Sequence, residues 1–307
     1  MTAPRRANFA DRLIQRVRVL RHPLCVGIDP YLDRIPPLFR RGSMAPAASD
    51  TADAVEEFCR RIIDLVADRV AIVKPQIALF EPMGWRGIRA LERVVHHARS
   101  RGLLVLLDAK RGDIAATANG YANAYLGPDA VIAVDAMTIN PYLGPDAVAP
   151  FVDVAENTAR GIVVLVRNSN PTSVALQHLK TSGGRLFEVV AHSLLDAEAR
   201  LMGAATPWSS LSVTVGATSP DDSECVRSIL HHALFLVLGY GAQGAGAQAA
   251  VRGFVPGPCG LEGGIINSSR PILFPPAGHT SDATRWESAV LAAVDQMSGE
   301  LGNAISR

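Results

Sequence analysis

Eight short, mostly β-branched apolar runs recur along the 307-residue chain, at 24–28, 70–73, 103–107, 130–134, 162–166, 211–215, 234–238 and 264–266. Segments with helical periodicity lie between them, over 52–67, 87–99, 114–126, 186–201 and 219–231. Over 52–67 the apolar residues Val55, Phe58, Cys59, Ile62, Ile63 and Val66 return at three- and four-residue steps, which is one face of a helix. Strict alternation of strand and helix predicts a parallel sheet. Eight such units without a break in composition predict a single domain over 1–307, a closed (β/α)8 TIM barrel in the α/β class. A doubly wound open sheet is the competitor, but no G-x-G-x-x-G follows the first strand. A helix over 8–20 precedes the barrel, and a closing helix over about 282–297 is expected to seal the bottom of its wall.

Apolar residues make up 48% of the chain and charged residues 19%, enough for a large core. A formal net charge of +1 argues against a general nucleic-acid or membrane-surface partner. No apolar run approaches the roughly 20 residues that span a bilayer. The N-terminal stretch is basic at Arg5 and Arg6, but Asp11, Arg12, Gln15 and Arg16 interrupt the apolar positions Phe9, Leu13, Ile14 and Val17. That pattern is an amphipathic surface helix rather than a signal peptide. Cys25, Cys59, Cys225 and Cys259 are far apart and form no C-x-x-C, as expected of reduced thiols in a cytoplasmic protein. His96-His97, His231-His232, His178 and His192 are expected at the surface, so no metal site is predicted.

The third run ends in Asp108-Ala109-Lys110-Arg111-Gly112-Asp113, in which Asp108, Lys110 and Asp113 set three charges of alternating sign in an Asp-x-Lys-x-x-Asp pattern. If the strand continues, Asp108 and Lys110 project to the same side. Buried charges there are costly unless paired with each other or with a ligand, so the segment is either an ordinary strand-end salt bridge or a site. The other strand ends favour a site. They carry Asp29-Pro30, Lys74-Pro75-Gln76, Thr138-Ile139-Asn140-Pro141, Asn168-Ser169-Asn170-Pro171, Gly239-Tyr240-Gly241-Ala242-Gln243-Gly244 and Asn267-Ser268-Ser269-Arg270. Polar residues thus converge on the rim where barrels of this kind place their chemistry. Long loops at 30–51, 168–184 and 239–262 follow strands on that face, where long loops tend to be functional covers, with 30–51 and 239–262 as active-face loops. Glycine-rich backbone after the seventh strand, with Arg270 after the eighth, has the composition of a phosphate site.

Taken in order, Asp29, Val73-Lys74-Pro75-Gln76, Asp108 to Ile114, Asn140-Pro141-Tyr142-Leu143-Gly144, Gly239 to Gly244 and Asn267 to Arg270 resemble orotidine 5′-phosphate decarboxylase in its longer bacterial form (type 2). The likeness runs from residue 9 to about 290. It implies conversion of orotidine 5′-monophosphate to UMP and CO2, the last step of de novo UMP synthesis, without metal or organic cofactor. It also implies a homodimer whose active sites are completed by the partner subunit. By this likeness Asp29 and Lys74 hold the ribose hydroxyls, and Asp108 lies against the departing carboxylate. Lys110 donates the proton to pyrimidine C6, while Asp113 and Thr117 reach into the neighbouring subunit's site. Asn140 and Ser169 contact substrate, Ser169 at the pyrimidine, and Gln243 and Arg270 hold the phosphate.

The chemistry suits these residue types. Loss of CO2 leaves an in-plane electron pair at C6 that the ring π system cannot delocalise. A fixed ammonium stabilises that charge as it appears and can then supply the proton. Arginine would be a poor acid there. Asp108 and Asp113 are expected to keep Lys110 charged and oriented. If a helix begins near Asp113, then Asp113 and Thr117 share one face; the alternative is that Asp113 only caps that helix. The chain departs from the family at Leu238, where proline is expected before Gly239, and at Asn168, where threonine is expected. Two rivals are a magnesium-dependent sugar-phosphate aldolase or decarboxylase on the same barrel, and a non-catalytic phosphate-binding barrel.

Overall fold

In a computed structural model, which describes residues 7–241 and 243–306, the eight runs close into a barrel. Its strands are β1 (Leu24–Ile28), β2 (Ile72–Pro75), β3 (Leu104–Arg111), β4 (Ala136–Ile139), β5 (Gly161–Val164), β6 (Ser209–Gly216), β7 (Ala233–Leu238) and β8 (Gly264–Ser268). All neighbours are parallel and in sequence order, and β1 pairs with β8 to complete the ring. Helices α2 (Thr51–Val66), α3 (Gly84–Ser100), α4 (Ala115–Leu126), α5 (Pro145–Thr158), α6 (Leu186–His192), α7 (Leu195–Arg200) and α8 (Pro220–Ile229) connect them. The segment expected as one helix over 186–201 is two, interrupted at Ser193 and Leu194.

The fourth strand is displaced from its expected position. Residues 130–134 form the connection out of α4, with Val131 exposed, and the strand begins at Ala136. The apolar stretch there is longer than one strand, and pairing selects the part used: Ala136 sets beside Leu106. Asp135 fixes that start by accepting from Val105 N–H at 3.0 Å while holding the Arg12 guanidinium at 2.6 Å.

The bottom of the barrel is closed by α1 (Phe9–Leu20), not by the C-terminal helix. Phe9, Ala10, Leu13, Ile14 and Val17 pack against Ala71, just before β2, and against inward residues of several strands, among them Leu104, Ala136, Val163, Leu234 and Ile265. One face of α1 is therefore a floor rather than a surface. Gly161 permits this approach, because a Cβ at that position would collide with the Phe9 ring. The C-terminal helix, α9 (Ala283–Ile305), instead completes the outer ring beside α2, where Trp286 packs edge-on against Phe39.

Only the first part of the 239–262 loop lies at the top of the barrel. The hairpin Val255–Gly257/Gly260–Glu262 leads into β8 from below. There Glu262 takes a two-pronged contact from Arg18 of α1, at 2.8 and 2.7 Å, and accepts from Trp208 Nε1 at 3.0 Å. The expected cover thus shortens to the glycine-rich residues after β7, and the descending remainder belongs to the wall and floor.

Candidate active site

The C-terminal ends of β1, β2 and β3 bring four charged groups together. Lys74 Nζ donates to Asp108 Oδ2 at 2.8 Å, and Lys110 Nζ donates to Asp108 Oδ1 at 2.5 Å. Thr138 of β4 adds a third donor, its hydroxyl reaching Asp108 Oδ1 at 3.0 Å. Asp29, from the end of β1, faces Lys74 electrostatically, and its Oδ1 is buried without a hydrogen-bond partner among the described residues. Burial opposes the charge of Lys74, but Asp108 and then Asp29 outweigh it and raise the ammonium pKa. Burial likewise works against the Asp108 carboxylate, yet the Lys74 and Lys110 ammoniums hold its pKa well below the ordinary range. Both groups of the buried pair therefore stay charged at neutral pH.

Asp108 and Lys110 do not meet by simple strand alternation. Leu107 pairs with Met137 and Arg111 with Ile139, so β3 bulges between these positions. Lys110 takes φ +48°, a left-handed conformation uncommon for a side chain of this kind. Arg111 anchors the far side of the bulge, donating to Ala109 O at 3.1 Å and to Glu81 Oε1 at 2.6 Å.

The other expected site residues fall into two groups. Ser169 and Gln243 come together at Gly239, where a Cβ would lie 3.2 Å from Ser169 Cβ and 2.9 Å from Gln243 Oε1. Gly239 also has φ +92°, so a side chain there would be both crowded and strained. Arg270 is exposed at the end of β8 and makes no ion pair among the described residues, so its guanidinium is not committed to a surface partner. Asn140, exposed at the end of β4, turns its Oδ1 to Tyr142 N–H at 3.0 Å. Among the described residues, Asp113 and Thr117 make no hydrogen bond or ion pair with the Lys–Asp chain. Helix α4 begins only at Ala115, so Asp113 precedes it and shares no helical face with Thr117. Asp113 does not cap α4 either; its carboxylate accepts from Ile114 N–H at 2.8 Å, and Thr117 is exposed.

Two positions outside the expected set shape the site. Thr138 was visible as a strand-end hydroxyl, but its contacts depend on a bulge that no spacing reveals. Arg167, buried at the top of β5, ties the following loop to α8. It donates from Nε to Asp222 at 2.8 Å, from one terminal nitrogen to Asn168 O, Ser173 Oγ and Gln177 Oε1, and from the other to Ser219 Oγ at 3.0 Å. Asn168, the departure from the family pattern, is taken into this framework: its N–H donates to Gln177 Oε1 at 3.0 Å and its Oδ1 accepts from Thr214 at 3.2 Å. Leu238, the other departure, ends β7 and is partly buried against the apolar cluster inside the barrel.

The family model described as "Orotidine 5'-phosphate decarboxylase / HUMPS family" matches residues 22–277. A curated orotidine 5′-phosphate decarboxylase of Rhodopirellula baltica is 39% identical over 302 residues, covering 96% of this chain and 99% of the relative. The corresponding protein of Salinispora arenicola is 41% identical over 240 residues, 78% of this chain and 81% of its own. Among solved structures, the OMP decarboxylase of Leishmania donovani superposes with a TM-score of 0.72 at 29% identity, covering 97% of this chain and 98% of that one. No helix among the described residues is long and apolar enough to cross a membrane.

Proposed function

The chain belongs to the orotidine 5′-phosphate decarboxylase / HUMPS family, and from that premise we propose that it is a carboxy-lyase converting orotidine 5′-monophosphate to UMP and CO2 in pyrimidine biosynthesis. The observation that carries the reading is the unbroken chain Lys74–Asp108–Lys110 at the barrel mouth, buried at one end and open at the other.

In this reading the substrate carboxylate lies over Asp108, and C6 faces Lys110. As the C6–carboxylate bond breaks, its electron pair stays on C6, and the Lys110 ammonium stabilises the growing charge. Proton transfer from Nζ to C6 then gives UMP and a neutral amine, which solvent reprotonates at the open end. Lys74 and Asp29 take the ribose hydroxyls; the unpaired buried Asp29 Oδ1 suits that acceptor role. Ser169 meets the base and Asn140 contacts substrate, while Gln243 and Arg270 hold the phosphate as a remote handle whose binding energy is spent on orienting the ring. The chain works as a cytoplasmic homodimer in which Asp113 and Thr117 complete the partner's site. That assignment accords with the exposure of Thr117 and with the lack of any hydrogen bond or ion pair from either residue to Lys110 among the described residues.

The test follows pyrimidine absorbance after adding orotidine 5′-monophosphate to wild type and to Lys110→Ala, with and without EDTA. Turnover that survives EDTA and is lost in Lys110→Ala is expected. Turnover only with magnesium would favour the aldolase-type rival, and nucleotide binding without turnover the non-catalytic one. A Lys110→Ala protein as fast as wild type would end the mechanism.

A further inference from the structure

Thr138, the penultimate residue of β4, has 1% of its surface exposed and lies opposite the interruption in β3. Because Leu107 pairs with Met137 and Arg111 with Ile139, three residues of β3, Asp108, Ala109 and Lys110, face this one residue of β4. Such a bulge takes backbone amides out of the regular ladder and leaves them in need of other acceptors. Both Ala109 N–H and Lys110 N–H donate to Thr138 Oγ1, at 2.9 and 2.8 Å.

A hydroxyl has one proton to give and two lone pairs to share. With two amides directed at the lone pairs, the Thr138 proton is left to point at Asp108 Oδ1, 3.0 Å away. One atom therefore holds the backbone on two consecutive residues of the bulge and the rotation of the carboxylate at its start. Lys110 is held in its left-handed conformation by the same contact, and from that conformation its Nζ reaches Asp108 Oδ1. A threonine needed only for strand formation could be valine, which has the same branching and nearly the same shape. Here every hydrogen-bonding site of the hydroxyl is engaged by the segment carrying Asp108 and Lys110.

We infer that Thr138 is a positioning residue: its hydroxyl holds the β3 bulge in the form that sets Lys110 against Asp108 for proton delivery. The catalytic half of this inference rests on the proposed decarboxylation, whereas the geometric half does not. Thr138 touches neither Lys74 nor Asp29 through any contact described above, so its loss should act on the chemical step more than on substrate capture.

The experiment compares wild type, Thr138→Val and Thr138→Ser in the full chain, measuring kcat and KM with orotidine 5′-monophosphate. In parallel, NMR follows hydrogen exchange of the Ala109 and Lys110 amides in the free protein. Thr138→Val should lower kcat by about a hundredfold, the scale of a small misplacement of reacting groups, with KM changed by less than about threefold. Both amides should exchange at least about tenfold faster. Thr138→Ser, which restores the hydroxyl, should return kcat to within about threefold of wild type and restore both amides. A Thr138→Val protein with wild-type kcat, or Thr138→Ser as slow as Thr138→Val, would overturn the inference. If wild type fails to turn over the nucleotide, the functional reading falls, and amide exchange alone still decides whether Thr138 holds the bulge. Should Thr138→Val not fold, Thr138→Cys takes its place, since a thiol is a weak donor and acceptor; unchanged kcat and exchange there would count equally against the inference.

Discussion

Lys74 Nζ lies 2.8 Å from Asp108 Oδ2 with 3% and 7% of the two side chains exposed, whereas Lys110, on the other carboxylate oxygen, is 44% exposed. The same anion thus serves one sealed partner and one open to the mouth. Removing a partner from a buried pair leaves an uncompensated charge in a poorly solvated place, while an exposed pair is largely screened. Lys74→Met should therefore destabilise the fold by about 3 kcal/mol, the lower end for a broken buried pair because Lys110 remains. Lys110→Ala should cost no more than about 1 kcal/mol while abolishing turnover. Urea unfolding of the two variants checks this, and a larger loss for Lys110→Ala would contradict it.

The buried pair also sets a pH window. For Asp108, burial opposes ionisation but Lys74 and Lys110 prevail, so its folded pKa lies below the unfolded value near 3.9. Its contribution is complete above that value and is lost as pH falls toward the folded pKa. Lys74 has the opposite sign: its folded pKa is raised above the unfolded value near 10.4, so its contribution is complete below that value and is lost as pH rises further. The stability gap between wild type and Asp108→Asn should accordingly hold level from about pH 5 to 9 and narrow below about pH 4. Unfolding curves across that range provide the measurement; a gap that widened in acid would refute the sign.

The barrel was legible in the chain because its strands are buried on both faces and read as continuous apolar runs. The same property hid the position of β4. Residues 130–139 are nearly all apolar, and only pairing with β3, with Asp135 at the start, selects 136–139. The charged rim was legible because Asp29, Lys74, Asp108, Lys110 and Arg270 each stand where an apolar run stops. What brings Lys110 onto Asp108 was not. Strand alternation suggested the right neighbours for an incomplete reason, since the contact runs through a bulge and a left-handed residue that local spacing does not encode. The role of α1 was hidden for a similar reason. An amphipathic pattern shows that a helix has an apolar face, not which surface that face covers.

Arg167 ties the loop after β5 through a planar fork of donors, and a lysine there would keep the charge but lose the fork. Its partner Asp222 also receives His178 at 2.8 Å and Arg185 at 3.1 Å, so the carboxylate would stay paired, whereas Ser173 and Ser219 would lose the Arg167 donor and Gln177 would keep only Asn168 N–H. Arg167→Lys should therefore loosen residues 168–178 and cost about 2 kcal/mol, the scale of buried polar groups left short of partners. Hydrogen exchange should rise in that segment and remain unchanged in α2 and α3. Uniformly faster exchange throughout the barrel would show that Arg167 supports the whole fold rather than this loop.

The floor of the barrel offers a test of packing independent of the charges. Phe9 is fully buried against Gly161 at the foot of β5, and no room remains for a methyl group between them. Gly161→Ala should destabilise by about 2 kcal/mol through overpacking, and Phe9→Ala by about 3 kcal/mol through the cavity it leaves. Each change relieves the defect made by the other, because the new methyl would enter space vacated by the ring. The double variant should then be more stable than the sum predicts by at least about 1 kcal/mol. Denaturant unfolding of the four proteins completes the cycle. Strict additivity would mean that α1 meets the barrel through contacts other than this one, and that the floor tolerates Gly161 substitution by moving the helix as a body.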